Sequence, residues 1–452
     1  YVEHTGTRFD LIQLATLESW AVETGGVAGL RQDDLVTIEG LAACLECLSP
    51  DGVVSACRAI QTPPRDNVKI LATLVGALRS IGIDSPERHV IVVRDYLAVC
   101  TLAKKSPWTP DEIAKIRDVC RQRELTPVYF PGIGDDELNK PDRLPGPPGE
   151  KGDWLHHAAR KLLSAESVAF TQGWPFDVRA PTDDRPFFGN FGKVGSIGIL
   201  KKTFGDLWLT RTELSLLFVL AGMIGIAIAG AVLTVIPLLF VRDIRESPGR
   251  GGTSLYFVAI GLGYLMLEIT MLSRLIHLVG DPVQAGALTI SGFLFFSGLG
   301  SLVAQRIRVS DPRETGMDSP RSSGLTAVRR LLLVLVLVAF VELWTVRWTI
   351  ASIAALAPMW RAVSAIAMIG PVGFLMGFPM PTALRRLEET KPGLVPWAWG
   401  VNGFASVLAP PLATAVGMTW GFRTAGSLAL IFYLVAALTV YRLPRRAPNR
   451  PA

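Results

Sequence analysis

Beyond about residue 213 the chain is dominated by long apolar stretches, and ahead of it by short apolar runs set among charges. The apolar stretches fall at 214–241, 255–279, 283–304, 331–346, 362–378, 397–418 and 424–441. A bilayer crossing takes about 20 apolar residues, so residues 213–443 predict a transmembrane bundle of about seven helices. The fourth stretch is short, and residues 348–360 read as an interfacial piece beside it.

The first half has a different rhythm. Residues 9–14 (FDLIQL) have strand length, and 35–48 carry apolar residues at helical spacing up to a Ser49-Pro50-Asp51-Gly52 turn signal. A strand over 53–60, a helix over 66–81, and two strands over 89–94 and 96–104 joined at Asp95 follow. Thr109, Pro110, Asp111 and Glu112 form a helix start, with Thr as N-cap and acids near the positive end of the dipole. That helix runs to about Arg123, a strand follows at 127–130, and 154–169 reads as one amphipathic helix. Strand–helix alternation of this kind predicts a doubly wound α/β sheet over residues 1–138. Residues 139–212 read as a linker and connector, and 444–452 as a basic tail.

Composition refines this picture. Mean hydropathy is +0.37 and the isoelectric point about 9.1. The basic excess lies mostly in the links between apolar stretches, which points to membrane topology and away from nucleic acid. Sixteen Lys/Arg fall on one side of the expected crossings and four (Arg274, Arg347, Arg361, Arg423) on the other, placing the C-terminus in the cytoplasm. Five cysteines (Cys44, Cys47, Cys57, Cys100, Cys120) all precede the apolar half. An odd number of thiols on apolar faces suits a reducing compartment and favours a cytoplasmic α/β domain, which requires one crossing more or fewer than seven. Cys44 and Cys47 make a CxxC inside a helical run, read as buried structure. The chain opens at Tyr1 without Met or signal peptide, so residues are expected to precede it.

Candidate chemistry is sparse. A dinucleotide-type loop needs a Gly-rich turn after the first strand and an acid about 20 residues on. PGIGDD at 131–136 lacks the third Gly and sets acids where a phosphate needs amides, and Gly192, Gly195 and Gly198 follow no suitable strand. No zinc spacing occurs, and His156 and His157, adjacent on a helix, face apart. The TDDRPFF segment at 182–188 offers Asp183, Asp184 and Arg185 either as a polar site or as a connector with an internal Asp–Arg pair. In the apolar half, Glu268, Glu342 and Asn402 are the polar residues of interest. Buried membrane acids are costly and often functional, whereas Asn and Gly near helix breaks also serve packing.

FDLI at 9–12, LSPDG at 48–52, TDDRPFF at 182–188, GLGYLMLEITMLSR at 261–274, FSGLGS at 296–301 and VPWAWGVNGFAS at 395–406 together resemble bacterial membrane-embedded proteins related to spermidine/spermine synthases. The resemblance covers nearly the whole chain and implies an inner-membrane, multi-pass protein. It also implies that residues 1–138 are the C-terminal part of a Rossmann-like methyltransferase sheet. By resemblance the protein is an S-adenosylmethionine-dependent or aminopropyl transferase. Its cofactor would be S-adenosylmethionine or the decarboxylated form, and its acceptor a small amine or a lipid-phase molecule. In that family the strand beginning Tyr/Phe-Asp leads to a loop acid that deprotonates the attacking amine, because a protonated amine cannot attack the sulfonium-bearing carbon. Here Asp10 starts the strand, Ala15 stands at the base position, and Glu18 is the acid left nearby. The alternative is a non-catalytic transporter or membrane scaffold with a degenerate ligand-binding α/β domain.

Overall fold

The computed structural model describes residues 7–15, 28–61, 64–141, 143–147, 149–193, 195, 198, 201, 215–306, 323–353 and 356–444. The chain divides into two compact units, Tyr1–Phe218 and Val219–Ala452.

The first unit contains β1 (Phe9–Ala15), α1 (Ile38–Glu46), β2 (Leu48–Ala59), α2 (Asp66–Ser80), β3 (Val90–Arg94), β4 (Ala98–Ala103), α3 (Pro110–Gln122), β5 (Thr126–Tyr129), α4 (Trp154–Leu162) and α5 (Ser167–Gly173). The strands form one sheet in the order β1-β2-β4-β3-β5. Among the described residues β1 and β2 are the one pair of neighbours bonded in parallel; β4 is antiparallel to β2 and to β3, and β5 is antiparallel to β3, so β1, β2 and β3 share one direction and β4 and β5 the other. The sheet is therefore mixed, with β4 and β5 turned against the direction of the other three strands. The cause is local: Asp95-Tyr96-Leu97 is too short for a crossover and long enough for a hairpin. Asp95 Oδ1 fixes that turn by accepting from Leu97 N at 2.7 Å and Ala98 N at 2.6 Å.

Strand alternation sorts the core onto two faces. Val90 and Val92 join the large cluster under α1, α2 and α4, whereas Ile91 joins Ile113 and Phe130 under α3. Thr109 caps α3, as the sequence pattern predicts, in a full capping box with Glu112, and Thr37 caps α1. Two expectations change. The Ser49–Gly52 turn signal lies inside β2: Phe9 pairs with Leu48 but Leu11 with Val53, so these residues bulge from the ladder. A Cβ on Gly52 would sit 2.6 Å from the Phe9 carbonyl oxygen, so the bulge needs glycine. The expected 154–169 helix is two helices. Ser164 Oγ donates to Lys161 O and accepts from Glu166 N, competing with the helical ladder between them.

The second unit is helical: α6 (Ser215–Gly230, prolonged through a π-turn to Leu239), α7 (Arg250–Val279), α8 (Pro282–Ala304), α9 (Ser323–Ile353), α10 (Pro358–Met376), α11 (Pro379–Thr390), α12 (Val395–Trp420) and α13 (Phe422–Thr439). Among the described residues six helical spans are long and apolar enough to cross a membrane: Leu217–Leu239, Arg250–Val279, Pro282–Ala304, Pro358–Thr390, Pro392–Trp420 and Phe422–Arg442. The fourth expected stretch lies in α9, outside those six. This is one helix of 31 residues that runs through Trp348 to Ile353, so the separate interfacial piece expected from Trp348 onward is not formed.

The centre of this unit is α7, in which 61% of an apolar 18-residue stretch is buried, against 6% for α6. Large apolar side chains such as Leu233, Leu294 and Leu438 point outward, which suits hydrocarbon solvent. At the α8–α10 crossing the backbones touch. A Cβ on Gly300 would collide with the Phe374 carbonyl, and one on Gly377 with that of Ser297.

Candidate functional site

In an open α/β sheet ligands bind beyond the carboxyl ends of the parallel strands. Here that edge is where β1 ends at Ala15, beside Cys57, and β2 ends at Ala59. Asn67 Nδ2 donates to the Ala59 carbonyl at 2.8 Å, and Arg65 Nε donates to Gln61 Oε1 at 2.8 Å, tying the strand exit to the start of α2. Gln61, Pro64, Leu144, Pro145, Asp153, Trp154 and Leu155 surround a shallow pocket of about 220 Å³ including its open mouth. Its carboxylate is already engaged: Asp153 caps α4 through His156 N and accepts from Arg94 Nε at 3.1 Å, both side chains being buried. Arg94 Nη2 also donates to Asn139 Oδ1 at 2.9 Å, so the 139–153 stretch is anchored to β3.

Glu18 lies outside the described residues. Asp10 is at the opposite, amino end of β1, exposed, and accepts from Ser49 Oγ at 2.6 Å. It is thus part of the bulge at 49–52 and is far along the strand from Ala15. PGIGDD is a loop pinned by Glu137, which accepts from Gly134 N and pairs with Arg117 Nε at 2.7 Å. His156 Nδ1 meets Val128 O and His157 Nδ1 meets Glu150, so the two rings diverge. Among the described residues no group of three His, Cys, Asp or Glu is placed to hold a metal.

TDDRPFF is folded into the first unit around two residues that sequence reasoning missed, Lys69 and Asp177. Asp183 Oδ1 accepts from Thr37 Oγ1 at 2.7 Å, and its backbone N–H donates to Glu39 Oε2 at 3.1 Å, so it clasps the start of α1. Arg185 Nη1 lies 3.2 Å from Asp177 Oδ2, and Arg179 grips both Asp177 oxygens, at 2.8 and 2.6 Å. Lys69 Nζ donates to the carbonyls of Asn190 (2.7 Å) and Phe187 (3.3 Å) among the Phe188 and Phe191 rings. Burial pushes the Lys69 ammonium down to about 7, against the pull of Asp177. Burial would raise the Asp177 carboxyl, but the hydrogen bond from Arg179 and the surrounding cations hold it well below the usual carboxylate range. The one sequence signal for this knot was a lysine at a core position of α2, between Val68 and Ile70.

In the helical unit Glu268, Glu342 and Asn402 sit on α7, α9 and α12. Asn402 Nδ2 donates to the Phe257 carbonyl at 2.9 Å, over Gly261, whose missing side chain admits it. Asn402 is therefore a helix–helix clamp. One turn before Glu268 on α7, the Tyr264 hydroxyl bonds Ser297 Oγ of α8 at 3.2 Å. Glu342 Oε1 is enclosed, and the next residue, Leu343, and Thr270 of α7 both abut Gly426 of α13. The two glutamates thus share a depth, about 10 Å along α7 from the Asn402 clamp at 1.5 Å per residue.

Comparison with protein-family models, curated proteins and solved structures gives no match to this chain.

Proposed function

We propose that this is a multi-pass membrane protein of the spermidine synthase-like kind, whose α/β unit acts on a small amine or lipid-phase acceptor at the carboxyl edge of β1 and β2. The observation that carries the reading is the parallel β1–β2 pair, joined through α1, whose strand ends at Ala15 and Ala59 lie at the edge where such sheets bind ligands. The basic links favour an inner membrane with the C-terminus in the cytoplasm.

The described residues do not by themselves fit a nucleoside cofactor. The pocket is small and partly open to solvent, and its Asp153 is already committed to Arg94 and α4.

A second reading, a scaffold or transporter with a non-catalytic α/β unit, is favoured by the engaged acids. Asp10, Asp153, Asp177 and Asp183 are all held in internal hydrogen bonds. Calorimetric titration of the full-length protein with S-adenosylmethionine and with its decarboxylated analogue separates the two. Binding of either supports the transferase; binding of neither leaves the scaffold. If Glu18 is the base, Glu18→Gln abolishes turnover and leaves cofactor affinity unchanged.

A further inference from the structure

Cys57 and Cys100 stand 43 positions apart in sequence and directly opposite each other on β2 and β4. Their ladder position follows from the bonds around it. Ile60 N donates to Leu97 O, and pairs alternate along an antiparallel ladder, so three positions away Cys57–Cys100 is a non-hydrogen-bonded pair. The other edge of β4 gives the same answer. Lys104 N donates to His89 O, which makes Cys100–Val93 a hydrogen-bonded pair and turns the Cys100 backbone groups toward β3. Non-hydrogen-bonded pairs bring Cα atoms to about 4.5 Å, within the roughly 4.4–6.8 Å that a disulfide spans.

Both thiols lie on the sheet face that carries Val93 and Leu102, and both are half-buried, open enough for a small reagent. Ser55 Oγ lies 3.4 Å from Cys100 Sγ. The other three cysteines lack this arrangement: Cys44 is buried in α1, Cys47 caps it, and Cys120 is buried on α3.

We propose that Cys57 and Cys100 form a thiol–disulfide site, closed by a low-molecular-weight disulfide such as oxidised glutathione and opened by dithiols. Cys57 Sγ, as thiolate, attacks one sulfur of the oxidised glutathione, breaking its S–S bond and releasing one glutathione thiolate. Cys100 Sγ gives up its proton and attacks Cys57 Sγ, displacing the second glutathione. The two cysteines lose two electrons and two protons, and one glutathione disulfide becomes two glutathiones. The assignment of attacker agrees with the local electrostatics. The hydrogen bond with Cys100 lowers the Cys57 thiol to about 6 against its burial, and the same contact raises Cys100. Closure fastens β2 to β4 next to Ala15, at the sheet edge described above, and the proposal stands independently of the transferase reading.

The test treats the full chain in detergent micelles with oxidised glutathione at neutral pH, alkylates remaining thiols and maps peptides by mass spectrometry. The expected product is a peptide pair joined through Cys57 and Cys100, lost on reduction with dithiothreitol. Cys100→Ser should stop the reaction at glutathione on Cys57. Alkylation of both residues in the treated wild type, or lasting glutathione on Cys57 with Cys100 still alkylated, overturns the proposal.

Discussion

Lys69 Nζ lies 2.7 Å from the Asn190 carbonyl oxygen, joining the first turn of α2 to a turn 121 residues later. The contact fastens the segment that follows TDDRPFF into the core of the first unit. It also sets a pH dependence. The Lys69 pKa falls from 10.5 to about 7 on folding, chiefly through desolvation. Between those values the unfolded chain holds a proton that the folded chain lacks. The cost of burying Lys69 is therefore full below about pH 7, and stability rises as pH climbs toward 10.5. Lys69→Met removes the titrating group and should flatten that rise. Urea-induced protease sensitivity of the first unit, followed from pH 7 to 10 in both proteins, measures it; parallel profiles would refute the assignment.

Asp177 is the anion that balances this knot, against Arg179, Arg185 and Lys69. Removing one member of a buried charge network leaves the others uncompensated, at about 3–5 kcal/mol. Asp177→Asn keeps the shape and removes the charge, so it should destabilise the first unit by that amount. Hydrogen exchange of α2 and of residues 177–191 in the full chain reads the loss as protection reduced about a hundredfold or more. Protection equal to wild type would mean that the charges act independently.

Much of the local structure was legible because its causes are local. The N-cap at Thr109 and the strand at 9–14 have their determinants within a few residues; the break at Ser164 is equally local but was not legible, because amphipathic spacing carries on across it. Alternation reports element type and not strand direction; the join at Asp95 was legible, and the three-residue Asp95–Leu97 connection is what turns β4 back against β3 and makes the sheet mixed. The Lys69–Asp177 knot and the Cys57–Cys100 pair were invisible for a different reason. Each joins residues tens of positions apart or more through sheet register and helix docking, and no pattern in one sequence encodes such a register. TDDRPFF was legible as a polar cluster, but the partner of Arg185 is Asp177, outside the motif.

The Asn402–Phe257 clamp makes a prediction inside the helical unit. Hydrogen bonds between membrane helices contribute about 0.6 kcal/mol on average and up to about 1.7. Asn402→Ala should therefore weaken the bundle only by about 1 kcal/mol. Gly261→Leu should do far more, because even a Cβ there would sit 2.8 Å from the Asn402 amide nitrogen and carbonyl oxygen. Resistance to unfolding in increasing sodium dodecyl sulfate ranks the two. A Gly261→Leu protein as resistant as wild type would show that α7 and α12 do not approach so closely.

The direction of each helix in the second unit makes the last prediction. Gly252 abuts the Arg442 carbonyl, Gly249 abuts Pro444, Arg385 donates to Gln305 O, and Arg329 stacks over Tyr441, so the basic links gather at one end. At the other end Arg361 reaches the Leu278 carbonyl and Arg423 stacks over Trp344. Because α9 meets Tyr441 near its start and Arg423 near Trp344, it runs the length of α13 and is expected to cross beside the six apolar spans. Likewise Leu238 packs at Gly400 and Gly230 at Phe404, so α6 runs antiparallel to α12, with its Val219 end toward the pole away from the basic links. Seven helices then place Val219 and Leu443 at opposite poles. With the native cysteines replaced, a cysteine at Glu246 should react with an impermeant maleimide only after the membrane is opened. One at Gln284 should react in intact cells. Labelling of both from the same side would mean that α7 does not cross, and would overturn this arrangement of the helices around it.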